Sequence, residues 1–296
     1  MPTFDTPQPI SVTIDLGVGD VRIVASDRSD TVVEVKPRDP GKRSDALAAE
    51  QTRVEYAAGR LLIKAPRGWR QFRPWGGAEA IDVEIALPSR SQLRSEVGLG
   101  TVRCTGQLGE CRCQTGLGDI QLDEAGPVHL KTGSGDVTVE RVLDHADVTI
   151  GSGTVHVGSI AGGAVVKNSN GDTWIGEVAG DLRVNAANGR ISVDAAHSTV
   201  AAKTARGDVR LGEVMQGAVL AETALGKLDI GVRDGVVAWL DLNTHFGTVH
   251  SDLQGTDAPR PGEGTVEVRA RTSFGDISVR RAAPRSSGAP QSGRAA

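Results

Sequence analysis

The stretch TGSGDVTV, Thr132 to Val139, alternates apolar and polar residues after a Gly-Asp pair, as a short strand does after a tight turn. Variants of it recur at 115–122 (TGLGDIQL), 204–211 (TARGDVRL), 223–230 (TALGKLDI) and 271–279 (RTSFGDISV). Between Gly100 and Gly226, successive turn glycines are 17 to 19 residues apart. Self-similarity at a fixed period of this length predicts a stacked repeat architecture.

Each repeat supplies two strands. Apolar residues stand two and four positions after the turn glycine, as Val137 and Val139 do, and others stand seven and five positions before it, as Val128 and Leu130 do. Burial of about four such side chains stabilises a repeat by about 6 to 12 kcal/mol. Ordering its residues costs roughly 1.5 kcal/mol each. One repeat therefore cannot fold alone, and the repeats must stack.

The sequence predicts an all-β, right-handed parallel β-solenoid with coils of about 18 residues, spaced about 4.8 Å apart, and wider N-terminal coils. Residues 1–97 are predicted to form these wider coils and a cap, with a short helix at Ser44 to Gln51 and a loop insertion at 66–78. Residues 98–280 are predicted to form the regular solenoid. The segment 281–296, rich in Pro, Ser, Gly, Ala and Arg, is predicted to be a disordered tail.

Columns of equivalent residues refine this prediction. Two positions before the turn glycine, small residues such as Gly116 and Ala205 indicate close approach of successive coils. A threonine column that includes Thr132 suggests inward hydroxyls that bond one another. Aspartates such as Asp136 follow the turn glycine directly, where calcium-binding repeats place Asp two residues later. Capping of their own turns is the expected role for these aspartates.

Composition excludes several functional classes. A net charge of -4 and a pI near 5.9 argue against nucleic-acid binding, and no apolar run reaches the length of a membrane-spanning segment. The N-terminus lacks the pattern of a signal peptide, so a cytoplasmic location is expected. Cys104, Cys111 and Cys113 occupy inward positions without an inward histidine, which indicates buried thiols and no metal site.

Catalytic groupings are sparse. On the predicted outer face, Asp229 between Arg210 and His250 is the best candidate for an acid beside basic groups, and a solvated surface of mixed charge explains it better. Arg206-Gly207-Asp208 spells a receptor-binding tripeptide, but the repeat itself requires the Gly and the Asp. No catalytic residue, cofactor or metal is predicted.

Two segments are candidates for partner contact. The stretch PRGWRQFRPWGG, 66–77, interleaves aromatic and basic residues: Trp69, Arg70, Phe72, Arg73 and Trp75. Such a stretch contacts a partner, or it folds its rings over the flank or end of the solenoid. The second candidate is the corner just before the turn glycine, where polar residues give way to Leu225, Phe246 and Phe274 near one end.

The recurring TxxGDhxh pattern (h, apolar), the opening GVGDVRIVASDRSDTVVEV and the segment SEVGLGTV resemble the bacterial β-strand-repeat family labelled "putative adhesin", a domain of unknown function. The resemblance covers roughly residues 10–280. It implies the β-repeat fold. The family has no established activity or catalytic residue to carry over.

Together these observations predict a non-enzymatic β-solenoid scaffold whose repetitive surface binds a protein or a surface polymer, or assembles with copies of itself. The alternative is a carbohydrate-binding module or a carbohydrate-active enzyme on a β-helix. The expected partner is an unidentified protein or polysaccharide, with self-association as a further possibility. Neither nucleic acid nor an integral membrane segment is expected.

Overall fold

A computed structural model describes residues 1–66, 79–253 and 264–282. Within these ranges the chain forms 27 strands and one helix. The strands build two sheets, one of 14 strands and one of 13, in which most pairs are parallel. We call them sheet I, with the strands that follow the turn glycines, and sheet II, with those that precede them. The predicted all-β solenoid architecture is confirmed, and the hand of its winding stays a prediction.

The N-terminal segment mixes parallel strands with antiparallel ones. Its elements are β1 (Thr3–Asp5), β2 (Ser11–Val18), β3 (Val21–Ser26), β4 (Asp30–Pro37), α1 (Arg43–Gln51), β5 (Arg53–Ala57), β6 (Arg60–Lys64) and β7 (Ile81–Pro88). Helix α1 confirms the predicted short helix. Strands β1, β4 and β5 pair antiparallel with their neighbours and give this end of the solenoid short edges. No helix of the described ranges has the length and apolarity needed to cross a membrane.

The regular coils follow, each with one strand in sheet II and then one in sheet I. Their strands are β8 (Gln92–Leu99), β9 (Val102–Leu108), β10 (Cys111–Leu117), β11 (Ile120–Ala125), β12 (Val128–Ser134), β13 (Val137–Val142), β14 (Ala146–Ser152), β15 (Val155–Ile160), β16 (Ala164–Asn170), β17 (Thr173–Val178), β18 (Leu182–Asn188), β19 (Ile191–Ala196), β20 (Val200–Arg206), β21 (Val209–Val214), β22 (Gly217–Leu225) and β23 (Leu228–Val232). The register between coils is 17 to 19 residues, as Ile120 opposite Val137 and Val209 opposite Leu228 illustrate.

The C-terminal segment contains β24 (Val237–Phe246), β25 (Val249–Ser251), β26 (Thr265–Phe274) and β27 (Ile277–Arg281). The last coil in sequence, β26–β27, lies between the coil β22–β23 and the coil β24–β25. The other end has the same inversion, since the coil β2–β3 lies between β6–β7 and β8–β9. At both ends, therefore, the order of the parallel coils in space differs from their order in sequence.

The core is a continuous aliphatic interior between the two sheets. Val137 and Leu211, which the repeat pattern turns inward, are 0% and 1% exposed. The parallel register stacks valine, leucine and isoleucine side chains from one coil onto the next. Each coil thereby shares its buried face with two neighbours, which supplies the stabilisation that a single coil lacks.

The turn glycines are required by both backbone conformation and space. Gly135 has a φ of 139°, a value that residues with a side chain rarely adopt. A Cβ added to it would lie 2.2 Å from the carbonyl oxygen of Gly118 in the preceding coil. Two positions earlier, a Cβ on Gly133 would meet the carbonyl oxygen of Gly116 at 2.5 Å. The predicted close approach of coils at this corner is confirmed.

The aspartates after the turn glycines bind the next coil, which corrects the prediction that they cap their own turns. Asp136 Oδ1 accepts from the backbone N–H of Thr154 at 2.7 Å, and Asp172 Oδ1 accepts from that of Arg190 at 2.8 Å. Parallel stacking places the next N–H of the column directly over the carboxylate. The aspartates therefore link coil to coil, a contact that no single repeat reveals.

The threonine column also differs from its prediction. Thr132 Oγ1 donates to the carbonyl oxygen of Gly118 at 3.1 Å, and Thr223 Oγ1 donates to that of Gly207 at 2.9 Å. The hydroxyls thus satisfy turn carbonyls of the preceding coil and do not bond one another as expected. Asn168, which replaces threonine in this column, donates to the carbonyl oxygens of Gly153 and Gly171.

Candidate functional site

The residue before each turn glycine forms a straight row along one corner of the solenoid, which we call the corner column. Its register places one residue of every coil above the next. In stacking order the column reads Val18, Leu99, Leu117, Ser134, Ser152, Asn170, Asn188, Arg206, Leu225, Phe274 and Phe246. The column is thus apolar at both ends and polar between them.

The C-terminal end of the corner column is an exposed apolar cluster, which we call the corner cluster: Leu225, Phe274 and Phe246. Their exposed fractions are 53%, 53% and 66%. The phenyl rings of Phe246 and Phe274 stack with centroids 4.9 Å apart and planes 7° apart. The structure thus brings together the three predicted residues. It orders them differently from the sequence, because the coil of Phe274 is inserted before that of Phe246.

The outermost coil at this end leaves further apolar surface open. Trp239 on β24 is 73% exposed, and Val249 on β25 is also exposed. Leu240 and Leu242 point inward but are only partly buried, because among the described residues no coil covers them. Sequence reasoning missed Trp239: its outward column was readable from the repeat, but its place in the outermost coil was not, because β26 inserts between β22 and β24.

The opposite end of the corner column carries Leu99 and Leu117, which are 44% and 53% exposed. Both were missed in the sequence, where they read as ordinary apolar residues before a turn. The signal that reveals them is the column itself, since every coil from Ser134 to Arg206 has a polar residue at the equivalent position. This pair exposes fewer apolar side chains than the corner cluster and contains no aromatic ring.

The other predicted contact segment, with Trp69, Arg70, Phe72, Arg73 and Trp75, lies outside the described residues. The strands that flank it in sequence, β6 and β7, form the last parallel coil at the N-terminal end of the solenoid, outside which the antiparallel strands β4, β1 and β5 lie. The corner cluster lies at the other end. The two candidate segments therefore connect to opposite ends of the molecule.

The three cysteines are buried between the sheets, where the sequence placed them. Burial raises the pKa of Cys104 and Cys113 well above the ordinary value for a thiol, and burial raises that of Cys111 to about 12. Such thiols are protonated and unreactive at neutral pH. Among the described residues, no group of three or more His, Cys, Asp and Glu side chains is arranged to hold a metal ion.

The expected grouping of Asp229 between Arg210 and His250 is right for Arg210, whose Nε lies 4.0 Å from Asp229 Oδ2, and wrong for His250. Strand β27 is inserted between β23 and β25, so Ser278 stands between Asp229 and His250. Asp229 also accepts two hydrogen bonds from the guanidinium of Arg280, at 3.1 Å and 3.2 Å. His250 Nε2 lies 2.7 Å from a carboxylate oxygen of Asp252. The arrangement is a set of surface ion pairs.

The Arg206-Gly207-Asp208 tripeptide is part of the coil stacking. Asp208 Oδ1 accepts from the backbone N–H of Lys227 in the next coil, at 2.8 Å. Gly207 has a φ of 146° and occupies a turn position like every other glycine of its column. Only Arg206 projects from the corner without such a structural role, so the tripeptide does not present its carboxylate as a free loop would.

The outer face of sheet I carries one aromatic stack that the sequence did not single out. The rings of His156 and Trp174, on adjacent strands, stack with centroids 4.1 Å apart and planes 19° apart. A Cβ added to Gly176 would lie 3.0 Å from the indole of Trp174, which shows that the ring leans over this glycine. The neighbouring outward glycine is Gly158 in the previous coil, so bare backbone borders the stack.

Comparison with known proteins identifies the family. Among solved structures the chain is similar to a "putative cell adhesion protein" from Clostridium sporogenes (12% identity, 95% of this chain and 98% of that chain, TM-score 0.22). It is similar to "putative adhesins" from Bacteroides fragilis (12% identity, 94% and 95%, TM-score 0.35) and Parabacteroides distasonis (13% identity, 94% and 95%, TM-score 0.25). No curated protein matches the chain. A family model described as Toastrack DUF4097 matches residues 10–280, and the chain therefore belongs to that family.

Proposed function

We propose that this chain is a non-enzymatic β-solenoid scaffold that binds a protein partner through the corner cluster. The family of β-repeat proteins to which it belongs, with neighbours named as adhesins, supports a binding role in general. The solenoid provides rigidity, because every coil is fixed by backbone ladders to the coils beside it. A rigid support keeps an apolar surface open without loss of the fold.

The observation that carries this proposal is the exposed stack of Phe246 and Phe274 above Leu225. Aromatic side chains are enriched at the centres of protein interfaces, where a few of them supply most of the binding free energy. The polar residues at equivalent positions in the middle coils show that the corner does not require apolar side chains for stacking. The corner cluster therefore has no evident role in stability, and a partner accounts for it.

The test is site-specific capture. A photoreactive amino acid placed at position 274 should crosslink one protein in lysate of the source cell, and the double variant Phe246→Ser, Phe274→Ser should lose that protein in affinity capture. Leu143→Ser, an exposed leucine away from the corner column, is the matched control. Retention of the captured protein by the double variant, with an unchanged melting temperature, would contradict the proposal.

The aromatic and basic segment of residues 66–77 is proposed as a second contact with the same class of partner. Interleaved Trp and Arg side chains are the types most often found at binding hot spots. Replacing Trp69, Phe72 and Trp75 by Ser should abolish a partner interaction without a large loss of stability. A collapse of the melting temperature with unchanged binding would show instead that these rings cover the solenoid.

A second candidate function is carbohydrate binding on the outer face of sheet I. The stack of His156 and Trp174 beside the bare backbone of Gly158 and Gly176 favours it, because sugar rings pack on indole faces and bury best where no side chain intervenes. In the next coil, the position equivalent to Gly176 is occupied by Asp194, which carries a carboxylate. Binding on a glycan array that Trp174→Ala abolishes would support this function over the first.

A cytoplasmic location is part of the proposal. It is supported by the three cysteines, which are free and buried and form no disulfide. Fractionation of the source cell with an antibody against the chain tests it. Recovery in the culture medium or on the cell surface would overturn it and would shift the expected partners to surface polymers.

A further inference from the structure

The solenoid ends differ in how their sheet edges are protected. Sheet II ends on one side with β5, which is five residues long and carries Arg53 and Glu55 on its exposed positions. It ends on the other side with β24, which is ten residues long and whose only carboxylate is that of Asp241. Short, charged edge strands discourage pairing with other chains, and long apolar ones promote it. The C-terminal edge, strand β24, is of the long and largely uncharged kind that promotes pairing.

The hydrogen bonds between β24 and β26 show which backbone groups of β24 point to its free edge. The N–H of Val237 donates to the carbonyl oxygen of Gly264 at 3.0 Å, on the side of β26. Because the groups of successive residues in a strand alternate in direction, those of Ala238, Leu240, Leu242 and Thr244 point to the free edge. The side chains of Leu240 and Leu242 point inward and are only partly buried. Among the described residues, no strand pairs with these backbone groups and no coil covers these side chains, so the edge offers both open hydrogen bonds and an open core.

We propose that two copies of this chain join end to end, with β24 of one pairing antiparallel with β24 of the other about a two-fold axis at Leu242. A two-fold arrangement uses the same surface on both copies and closes after two, so it leaves no long edge exposed. It joins the two sheets II into one continuous sheet. The inference goes beyond the proposed function, since it concerns the backbone edge of β24, of whose residues only Phe246 also belongs to the corner cluster.

The sequence of β24 favours this register over the one centred on Asp241. In an antiparallel pair, residues whose backbone groups point to the edge must lie opposite one another. The two-fold axis therefore passes at a residue and not between two residues. An axis at Asp241 would oppose two carboxylates. An axis at Leu242 instead places Asp241 opposite Asn243 of the second copy and Trp239 opposite its His245. It also places Leu242 opposite Leu242 of the second copy, and the two side chains cover the open core of both molecules.

The area of this end is adequate for a reversible dimer. A ten-residue strand is about 33 Å long, and two sheets with their outer side chains are about 20 Å thick. The contact then buries about 660 Å² on each copy and about 1,300 Å² in total, near the lower limit of specific interfaces. A concentration-dependent equilibrium between monomer and dimer is therefore expected.

Sedimentation equilibrium of the full chain tests the proposal. The wild-type protein should reach a dimer, and Leu242→Lys should raise the dimer dissociation constant at least about tenfold, because two ammonium groups would face each other at the axis. The matched control is Val165→Lys, which adds the same charge on the outer face of sheet II far from the edge, and should leave the constant unchanged. A monomeric wild type, or filaments by negative-stain electron microscopy, would overturn the two-fold dimer.

Crosslinking keeps the proposal falsifiable if Leu242→Lys fails to fold. Paired residues on a two-fold axis have Cα atoms about 5.5 Å apart, within disulfide range. Leu242→Cys should therefore form a dimer on mild oxidation, whereas Leu240→Cys, which pairs with position 244, should not. Equal crosslinking at both positions would refute the register. Loss of partner capture by the corner double variant, with the dimer intact, separates this inference from the proposed function.

Discussion

The carboxylate of Asp136 accepts a hydrogen bond from the backbone N–H of Thr154 at 2.7 Å, across the gap between two successive coils. Asp136 in turn donates its own N–H to Asp119 Oδ1 at 2.8 Å. The contact repeats wherever aspartate follows a turn glycine, including Asp208 with Lys227 and Asp20 with Thr101. In each coil that carries such an aspartate, this one side chain thus fixes the height of the next turn.

Removal of one such acceptor has a modest, defined cost. Asp136→Ala should lower the free energy of unfolding by about 1 kcal/mol, the net value of one hydrogen bond in a partly solvated position. Asp136→Asn keeps an acceptor oxygen and should lose less. Urea denaturation measures both. If the asparagine variant is as destabilised as the alanine variant, charge and not the hydrogen bond is responsible.

The turn glycine should tolerate no side chain. Gly135→Ala combines a strained φ with a Cβ placed 2.2 Å from a backbone oxygen, so a loss of about 4 kcal/mol or more is expected. Gly59→Ala is the control: its φ of 75° is also positive, but no atom lies within 4 Å of the added Cβ. That variant should lose only about 1 kcal/mol. Similar losses in the two variants would show that conformation alone, without contact between coils, sets the cost.

Acid should loosen the outermost coil that carries Phe246. The backbone N–H and the hydroxyl of Thr248 both donate to Asp276, and these bonds hold the pKa of Asp276 below its ordinary value of 3.8. A lowered pKa stabilises the fold at higher pH, and that stabilisation is lost as pH falls below about 3.8 through the folded-state pKa.

The measurement is the difference in melting temperature between the wild type and Asp276→Asn. It should be largest near neutral pH and should shrink as the pH is lowered below about 4. A difference that stays constant across this range would mean that ionisation of Asp276 contributes nothing to holding the outermost coil.

The buried cysteines should resist alkylation. Because burial keeps all three thiols protonated, the folded protein should react with iodoacetamide at pH 8 far more slowly than the urea-unfolded chain, as followed by mass spectrometry. Cys113→Val, which fills the same inward position with an apolar side chain, should change the free energy of unfolding by less than about 1.5 kcal/mol. Rapid labelling of Cys111 in the folded state would contradict this assignment.

The repeat pattern of the sequence was enough to determine the strands and turns of a single coil. Spacing predicted the inward residues such as Val137 and Leu211, the turn glycines and the members of the corner cluster. It could do so because consecutive residues form one coil. The partner of Asp136 was not readable in this way. Its hydrogen bond joins residues 18 apart, and the choice between its own turn and the next coil depends on their relative height.

The order of coils at the two ends was decided only in three dimensions. Every coil presents the same backbone edges and the same aliphatic core, so the repeat does not specify which coil lies beside which. The segment before β26 is long enough to let the chain return past a coil, as it does when β26 pairs between β22 and β24. This choice sandwiches Phe274 between Leu225 and Phe246 and leaves β24 at the edge. Local sequence determined what each coil is, and the packing of equivalent coils decided where it lies.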